Sequence, residues 1–205
     1  MGLVTASSTA GAETVGVVLA GGASRRMGRD KAALAIAGET LAARAARRLR
    51  AVCARVAVAD GGRGLVPGLP SLPDGPGDGP VAGILGAARA LPGHPLLVLA
   101  CDLPGVPEAL LADLAEAGEI DWVVPRWQRG LEPLCALYRP VALAALAAAV
   151  ARGVMAPHRL AEAPGLRVSF LESERLGRFG PPAELFVNLN TQHDLERWLA
   201  SRPRP

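Results

Sequence analysis

The side chains best suited to chemistry stand together near the start of the chain, in a loop rich in glycine and cations. The loop reads Leu19-Ala20-Gly21-Gly22-Ala23-Ser24-Arg25-Arg26-Met27-Gly28-Arg29-Asp30-Lys31. Its paired glycines let the backbone approach an anion and point successive N–H groups at it, which a Cβ atom would obstruct. Arg25 and Arg26 offer forked hydrogen bonds to phosphate oxygens, and Lys31 adds a movable point charge. The loop therefore predicts a triphosphate site.

Two better known phosphate-binding loops have a different spacing. A P-loop carries its lysine directly after the last glycine, whereas two residues separate Gly28 from Lys31 here. A dinucleotide-binding fingerprint has G-x-G-x-x-G at the start of a helix, and the pair Gly21-Gly22 followed by Gly28 does not fit it. The sequence therefore indicates a phosphate loop of another kind.

Apolar strands that alternate with helices position this loop. Residues 15–19 are apolar and predict a buried first strand that leads into the glycine loop. Further strands are predicted at 53–59, 96–100, 121–124, 134–138 and 166–171, and helices at 41–50, from 80, at 107–116, from 140 and after Thr191. The alternation predicts an open, mostly parallel α/β sheet with helices on both faces. Because ligands bind such sheets at the carboxyl ends of strands, the Gly21 loop, the Asp60 turn and Asp102 should share one rim.

Length and composition fit one domain of ordinary size. The chain has 205 residues, of which half are apolar and a fifth charged, with a net charge of +3 and scattered arginines. These values predict a soluble globular protein without a nucleic-acid partner. We expect residues 1–13 to form a flexible N-terminal tail and residues 14–200 to form the domain.

The sequence also bears on location and on the thiols. It contains no stretch of about 20 apolar residues and no signal-peptide pattern, so we expect no membrane association and a cytoplasmic location. The three cysteines, Cys53, Cys101 and Cys135, are far apart and lack the spacing of metal ligands. They are therefore expected to be reduced and buried.

Asp102 follows a strand without charges, where an isolated carboxylate is unfavourable unless a positive group meets it. A magnesium ion held by one or two carboxylates and by substrate phosphates would meet that need. The alternative is an aspartate that caps the following loop. A triphosphate loop on the same rim favours magnesium, because that ion accompanies triphosphate chemistry.

Several motifs carry a family resemblance that spans residues 15 to 198. The first loop resembles the L-A-G-G-x-[SG]-x-R-M-G-x-[DP]-K signature of nucleotidyltransferases. Three further runs are similar to landmarks of the molybdenum cofactor guanylyltransferases: Gly79-Pro80-Val81-Ala82-Gly83-Ile84, Cys101-Asp102-Leu103-Pro104 and Asn188-Leu189-Asn190-Thr191. The resemblance implies a single-domain Rossmann-like nucleotidyltransferase fold.

The same resemblance implies an activity. GMP would pass from GTP to the terminal phosphate of molybdenum-molybdopterin, with release of pyrophosphate, in a magnesium-dependent reaction. Because the attacking phosphate is already ionised, we expect direct transfer without a covalent enzyme intermediate. Cofactor synthesis or insertion proteins would be transient partners.

The resemblance further implies roles for individual residues. Lys31, Arg26 and Asp102 would be catalytic, and Asp102 would hold the magnesium ion. Asn188 and Asn190, which alternate on an apparent strand, would face the pterin. The nucleotide would be bound by residues that line guanosine with backbone groups or wrap the phosphates: Leu19, Ala20, Gly21, Gly22, Ser24, Arg25, Met27, Gly28, Lys31, Asp74 and Asp102.

Two of these assignments have alternatives in the sequence. Asp78 competes with Asp74, because both lie in the Pro- and Gly-rich loop before the helix at Pro80. Asn188 and Asn190 could instead form a turn and cap before the last helix, with Thr191 as the capping residue.

Three stretches depart from the family pattern and leave other activities open. The turn Ala59-Asp60-Gly61-Gly62 stands where the family often has an asparagine for guanine, Gly105 replaces a bulky residue, and residues 153–157 replace a basic stretch. The alternatives are a cytidylyltransferase for the same pterin, a guanylyltransferase for another phosphorylated acceptor, and a nucleotide-binding protein without turnover. Lys31 and Asp102 favour an enzyme, because their charges also serve the transition state.

Overall fold

The computed structural model describes residues 13–21 and 34–200. The strands are β1 (Val15–Leu19), β2 (Ala35–Ile36), β3 (Glu39–Thr40), β4 (Arg55–Ala59), β5 (Ser71–Leu72), β6 (Leu96–Ala100), β7 (Trp122–Trp127), β8 (Gly130–Leu131), β9 (Cys135–Tyr138) and β10 (Val168–Leu171). The helices are α1 (Leu41–Arg50), α2 (Pro80–Ala90), α3 (Glu108–Ala115), α4 (Pro140–Ala151), α5 (Ser173–Leu176), α6 (Pro182–Leu185) and α7 (Gln192–Ala200), with a 3-10 helix at Pro157–Glu162.

The central sheet of the described residues has the strand order β10-β7-β9-β6-β1-β4-β5, with β8 paired to β7. Strand β1 lies in the middle, parallel to β4 and to β6, and Leu19 is in register with Ala59 and with Ala100. Only β9 on this path is antiparallel to its neighbours. The predicted open, mostly parallel α/β sheet is confirmed.

Helices cover both faces of the sheet, as predicted. The connection from β1 to β4 moves one way across the sheet, and the connection from β4 to β6 moves back past β1, so right-handed crossovers place α1 and α2 on opposite faces. The residues of β1, which point alternately to the two faces of the sheet, agree with this arrangement. The Cα of Gly16 faces Leu49 of α1, whereas the side chain of Leu19 contacts Gly83 of α2.

Local sequence explains why the elements around the site form where they do. Strands β1 and β6 are apolar and buried along their whole length, which suits the middle of a parallel sheet. Helix α1 begins at the predicted cap, where Thr40 Oγ1 accepts the N–H of Ala43 (3.2 Å). Strand β4 begins two residues after the prediction, because its ladder to β1 starts at the pair Arg55 and Val15.

Several predicted features hold and several elements were missed. The three cysteines are free and buried, as expected. The predicted edge strand is present as β10, although it starts at Val168. The two-residue strands, the 3-10 helix and the four-residue helices α5 and α6 were missed, because such short elements have too few residues for a periodic pattern. None of the described helices combines the length and the apolar character needed to cross a membrane.

Candidate functional site

The carboxyl ends of β1, β4 and β6 form one rim, as the sequence predicts. The register that aligns Leu19, Ala59 and Ala100 places the residues after them side by side. The N–H of Ala20 donates to the C=O of Ala59 (3.0 Å), and the N–H of Cys101 donates to the C=O of Leu19 (3.1 Å). These bonds fix where the glycine loop and the Asp102 loop leave the sheet.

Asp60 lies on this rim, but its side chain serves its own loop. It is 1% exposed. Its Oδ1 accepts from the Ser71 hydroxyl (2.5 Å) and from the N–H groups of Gly62 (3.1 Å) and Arg63 (3.2 Å), and its Oδ2 accepts from the N–H of Leu65 (2.8 Å). Asp60 therefore builds the turn after β4 and does not point a carboxylate at a ligand.

Arg63 joins the turn after β4 to the start of the glycine loop. Its Nε donates to the C=O of Asp60 (2.7 Å), and its Nη2 donates to the C=O of Ala20 (2.5 Å). A guanidinium spans two carbonyls in this way because its N–H groups have a fixed fork geometry. Sequence reasoning missed Arg63, whose only signal was its place three residues after Asp60.

Backbone groups at the start of the glycine loop are engaged within the protein. The C=O of Leu19 accepts from Cys101, and both backbone groups of Ala20 are bonded, to Ala59 and to Arg63. These bonds hold the loop in place at its first residues. That Leu19, Ala20 and Gly21 line guanosine stays a prediction.

The structure separates the two candidate loop carboxylates. Asp74 lies against the rim, since a Cβ built on Gly21 would be 3.6 Å from its Oδ1 and one built on Gly61 would be 3.3 Å from its Oδ2. Both carboxylates are exposed, but Asp78 follows Gly77, whose Cα faces Val81 and Met155 and not the rim. Asp74 is therefore the one brought beside the glycine loop.

Two glycines hold Asp74 in place. The N–H of Gly75 donates to the C=O of Ala82 (2.7 Å), and a Cβ on either Gly75 or Gly86 would collide with the backbone of the other. The loop thus lies directly on helix α2, with no side chain between the two backbones.

Asp102 follows β6 and is joined to the segment that carries the two asparagines. Its C=O accepts the N–H of Leu189 (2.9 Å), and Leu189 is fully buried while Asn188 and Asn190 on either side are exposed. The side chain of Asp102 is partly buried. The predicted metal-binding aspartate and the predicted pterin-side asparagines therefore lie together.

The prediction that Asn188 and Asn190 lie on a strand is wrong. Residues 187–190 follow α6 as a loop, in which the N–H of Leu189 donates to the C=O of Asp102 and no strand ladder forms. The backbone of Asn190 belongs to the cap of α7, as the alternative interpretation held. Asp194 Oδ2 accepts the N–H groups of Asn190 (3.1 Å) and Thr191 (2.9 Å), and Thr191 Oγ1 accepts the N–H of Asp194 (3.0 Å). The hydrogen bond from the Thr191 side chain holds the pKa of Asp194 below its usual value.

Gly105 explains how the two segments come so close. A Cβ at this position would collide with the carbonyl oxygens of Glu184 and Leu185. The bulky residue usual in the family would therefore push α6 away. Here the end of α6 packs directly on the chain after Asp102, which sets the position of Asn188.

The remaining predicted site residues lie outside the described part of the chain. They are Gly22, Ser24, Arg25, Arg26, Met27, Gly28 and Lys31. Within residues 13–21 and 34–200, no group of three His, Cys, Asp or Glu residues could hold a metal ion. A single carboxylate at Asp102 is still enough for magnesium, which binds through one or two carboxylates together with waters and substrate phosphates.

Comparison with known proteins gives consistent results. Residues 16–164 match the model of a family described as the MobA-like NTP transferase domain. The chain is 34% identical over 190 residues to a probable molybdenum cofactor guanylyltransferase of Pelotomaculum thermopropionicum, covering 89% of this chain and 90% of that one. It is 37% identical over 193 residues to a molybdenum cofactor guanylyltransferase of Cereibacter sphaeroides, covering 89% and 93%.

A solved structure supports the same fold. The crystal structure of molybdopterin-guanine dinucleotide biosynthesis protein A from Archaeoglobus fulgidus matches with a TM-score of 0.74 and 26% identity. The match covers 90% of this chain and 96% of that chain.

Proposed function

The chain belongs to the MobA-like NTP transferase family and is a nucleotidyltransferase, and we propose that it transfers GMP from GTP to the terminal phosphate of molybdenum-molybdopterin. Pyrophosphate is the leaving group. The observation that carries the proposal is the rim on which Asp102 lies between the Gly21 and Asp74 side and the Asn188 and Asn190 segment. A nucleotide and a second substrate can thus meet at one carboxylate.

The nucleotide side is proposed to use the first rim loops. Leu19, Ala20 and Gly21 would approach guanosine through the backbone, and Asp74 would close the site from the loop before α2. The cationic loop would wrap the phosphates with residues outside the described ranges: Gly22, Ser24, Arg25, Met27, Gly28 and Lys31.

Asp102 is proposed to hold magnesium. Its carboxylate offers the hard oxygen donors that this ion prefers, at the end of the strand beside the nucleotide loop. When bound, magnesium neutralises charge on the phosphates and helps to orient them.

The chemical step is proposed to be direct. An oxygen of the acceptor phosphate attacks the α-phosphorus, the bond from that phosphorus to the bridging oxygen breaks, and the electron pair leaves with pyrophosphate. Lys31 and Arg26 would stabilise the negative charge that develops on the equatorial and leaving oxygens. No protein nucleophile is required, since the acceptor phosphate is ionised at neutral pH.

A cytidylyltransferase acting on the same pterin is the second candidate. It is favoured by Asp60, which stands in the turn where an asparagine would read guanine and instead directs its side chain into its own loop. Asn188 and Asn190, which are proposed to bind the pterin, would have the same role whether the other substrate is GTP or CTP.

The experiment that tests the function is pyrophosphate release with GTP, CTP, ATP or UTP and magnesium, with and without molybdopterin. We expect release with GTP that depends on the pterin. Release with CTP in place of GTP would establish the second candidate. GTP binding without release under all conditions would contradict the enzymatic proposal.

A further inference from the structure

A second carboxylate lies on the same rim as Asp102, just before β9. The N–H of Ala100, the last residue of β6, donates to the C=O of Leu134 (2.7 Å), so the chain that enters β9 runs beside the end of β6. Glu132 precedes Leu134 by two residues and Asp102 follows Ala100 by two, so both carboxylates stand at the same end of the paired strands β6 and β9. Glu132 is therefore a neighbour of the proposed reaction centre, and none of the roles above uses it.

Trp127 holds one oxygen of this carboxylate. Its indole N–H donates to Glu132 Oε1 over 2.8 Å, and both residues are partly buried. No other described residue donates to the Glu132 carboxylate. Burial raises the pKa of Glu132, the bond from Trp127 and the charge of Arg129 lower it, and Asp102 raises it. Trp127 is bonded to Oε1, so the other carboxyl oxygen of Glu132, Oε2, can accept a hydrogen bond from a ligand.

The same tryptophan joins Glu132 to the asparagine segment. The rings of Trp127 and Phe186 lie 6.0 Å apart between centroids and are tilted by 37°. Phe186 precedes Asn188 by two residues, and Leu189 is bonded to the C=O of Asp102. Trp127 and Glu132 therefore lie next to Asp102 and residues 188–190 on the rim.

The order of the strands places Glu132 away from the nucleotide. In the sheet order β9-β6-β1-β4, the glycine loop follows β1 and Asp74 lies beside the turn after β4. Glu132 lies on the β9 side of Asp102, which is the opposite side. It therefore lies on the side of the rim proposed for the second substrate, away from the loops proposed to bind GTP.

The sign of the charge decides which part of that substrate it meets. Phosphate oxygens would be repelled by the negative charge of Glu132. A carboxylate only accepts hydrogen bonds, so its partner must present N–H or O–H donors. A pterin has a 2-amino group beside its N3–H, which together form a donor edge suited to a carboxylate.

We propose that Glu132, oriented by Trp127, binds the 2-amino and N3–H edge of the acceptor pterin. This inference rests on the proposed function, in which the acceptor is a pterin. Guanine carries the same pair of donors, so the test must distinguish the two substrates. Glu132 contributes to acceptor recognition, while Trp127 is a positioning residue.

The first measurement is steady-state kinetics of the full chain with GTP, magnesium and molybdopterin. Glu132→Gln keeps the shape but replaces an acceptor oxygen by a donor, so the KM for molybdopterin should rise about 10- to 100-fold, the range of a charged hydrogen bond. The kcat and the KM for GTP should stay within about twofold. Trp127→Phe should raise the acceptor KM by a smaller factor. The control Glu116→Gln changes an exposed glutamate after α3 and should change neither KM.

The second measurement needs no turnover. Equilibrium dialysis compares pterin with lumazine, which has a carbonyl in place of the 2-amino group. Wild type should bind pterin at least about tenfold more tightly than lumazine, and Glu132→Gln should lose that preference. Equal binding of both by wild type, an unchanged acceptor KM in the variant, or a shift in the KM for GTP instead would overturn the inference. Wild-type protein that turns over another acceptor but not the pterin would overturn the proposed function as well.

Discussion

At the scale of single residues, the site depends on side chains that hold loops as much as on those that would touch substrates. Asp60 is buried and gives its carboxylate to the turn after β4. Arg63 then ties that turn to the glycine loop through the Ala20 carbonyl. A loop of the kind proposed to wrap phosphates binds them more tightly when such bonds already hold its first residues in place.

Arg63 gives a prediction for nucleotide binding. Arg63→Ala removes both bonds to backbone carbonyls and should raise the KM for GTP about tenfold, with kcat changed less than about threefold. The KM of Arg63→Lys for GTP should lie between the values of wild type and Arg63→Ala, because an ammonium group lacks the fork that spans two carbonyls. Steady-state kinetics measures both constants. The control is Arg55→Ala at the other end of β4, where the guanidinium lies 3.4 Å from His94 Nε2 and far from the glycine loop. Equal effects of the two alanine variants would contradict the role of Arg63.

At the scale of elements, close backbone contacts set the distances between loops and helices. The Asp74 loop rests on α2 through Gly75 and Gly86, and the Asp102 loop rests on α6 through Gly105. In both places only glycine fits, because the backbone of another segment occupies the space that a Cβ atom would need. The elements that carry the candidate site are thus positioned by contacts that no other residue type permits.

Helix α2 offers a matched pair of substitutions. Gly86→Ala places a Cβ in collision with the Pro73 carbonyl and should lower stability by about 1–3 kcal/mol. Gly83→Ala in the same helix meets mainly the Leu19 side chain at 3.3 Å and should cost far less, because a side chain can move and alanine favours the helix. Urea unfolding with a constant m-value measures both. Similar losses for the two variants would show that backbone contact is not the cause.

The edge strand β10 is joined to β7 by a pair that predicts a pH dependence. Asp121 Oδ1 accepts from Arg167 Nη2 (2.9 Å), and its Oδ2 accepts the backbone N–H of Arg167 (2.9 Å). The hydrogen bonds from the Arg167 side chain and backbone hold the pKa of Asp121 below its usual value. A lowered pKa in the folded state stabilises the protein above the unfolded value of about 3.9, and this contribution is lost as the pH falls through the folded value.

Asp121→Asn tests this contribution. Wild type should have the higher Tm at pH 7, and the difference should shrink as the pH is lowered below about 4, because protonated Asp121 then resembles the amide. Thermal unfolding of both proteins between pH 3 and pH 7 measures the difference. A gap that stays constant over this range would mean that the charge of Asp121 does not contribute.

At the scale of the whole molecule, the rim is built from distant parts of one sheet. Strands β1, β4 and β6 are parallel and in register, which brings together residues 19–21, 60–63 and 102. Asp74 lies beside the first two of these segments, and residues 188–190 are bonded to Asp102 through Leu189. Ligands that bind across these segments should therefore stabilise the entire fold. They connect elements that otherwise meet mainly through the core.

Ligand-induced stabilisation should depend on Asp102. With GTP and magnesium together at about 100 times the dissociation constant, binding adds about 2.7 kcal/mol, which raises Tm by about 5–10 °C for a chain of this size. Asp102→Asn should remove most of the increase that requires magnesium and leave the part seen with GTP alone. Thermal shifts with GTP, with magnesium and with both measure the two contributions. An unchanged magnesium-dependent shift in the variant would contradict a metal at Asp102.

Much of the fold could be predicted because it is encoded locally. The apolar runs at β1 and β6, the Thr40 cap of α1, the prolines that open α2 and α4, and the box of Thr191 with Asp194 are each determined by neighbouring residues. The order of these elements then implied a parallel sheet and a rim with Asp60 and Asp102, because crossovers have one hand and ligands bind at strand ends.

The glycine loop, the strands and helices that frame it and the family of the chain could be inferred from the sequence. The contacts of the candidate site could not: that Asp60 bonds to its own turn, that Asp74 and not Asp78 lies beside Gly21, and that Arg63 spans two loops. Tertiary contact also decided that Asn188 and Asn190 lie on a loop pinned to Asp102 and that Glu132 joins the rim through Trp127. The physical reason is the range of the interactions. Strand, helix and cap formation depend on residues a few positions apart, whereas these contacts join residues far apart in the chain that approach only after the sheet has formed.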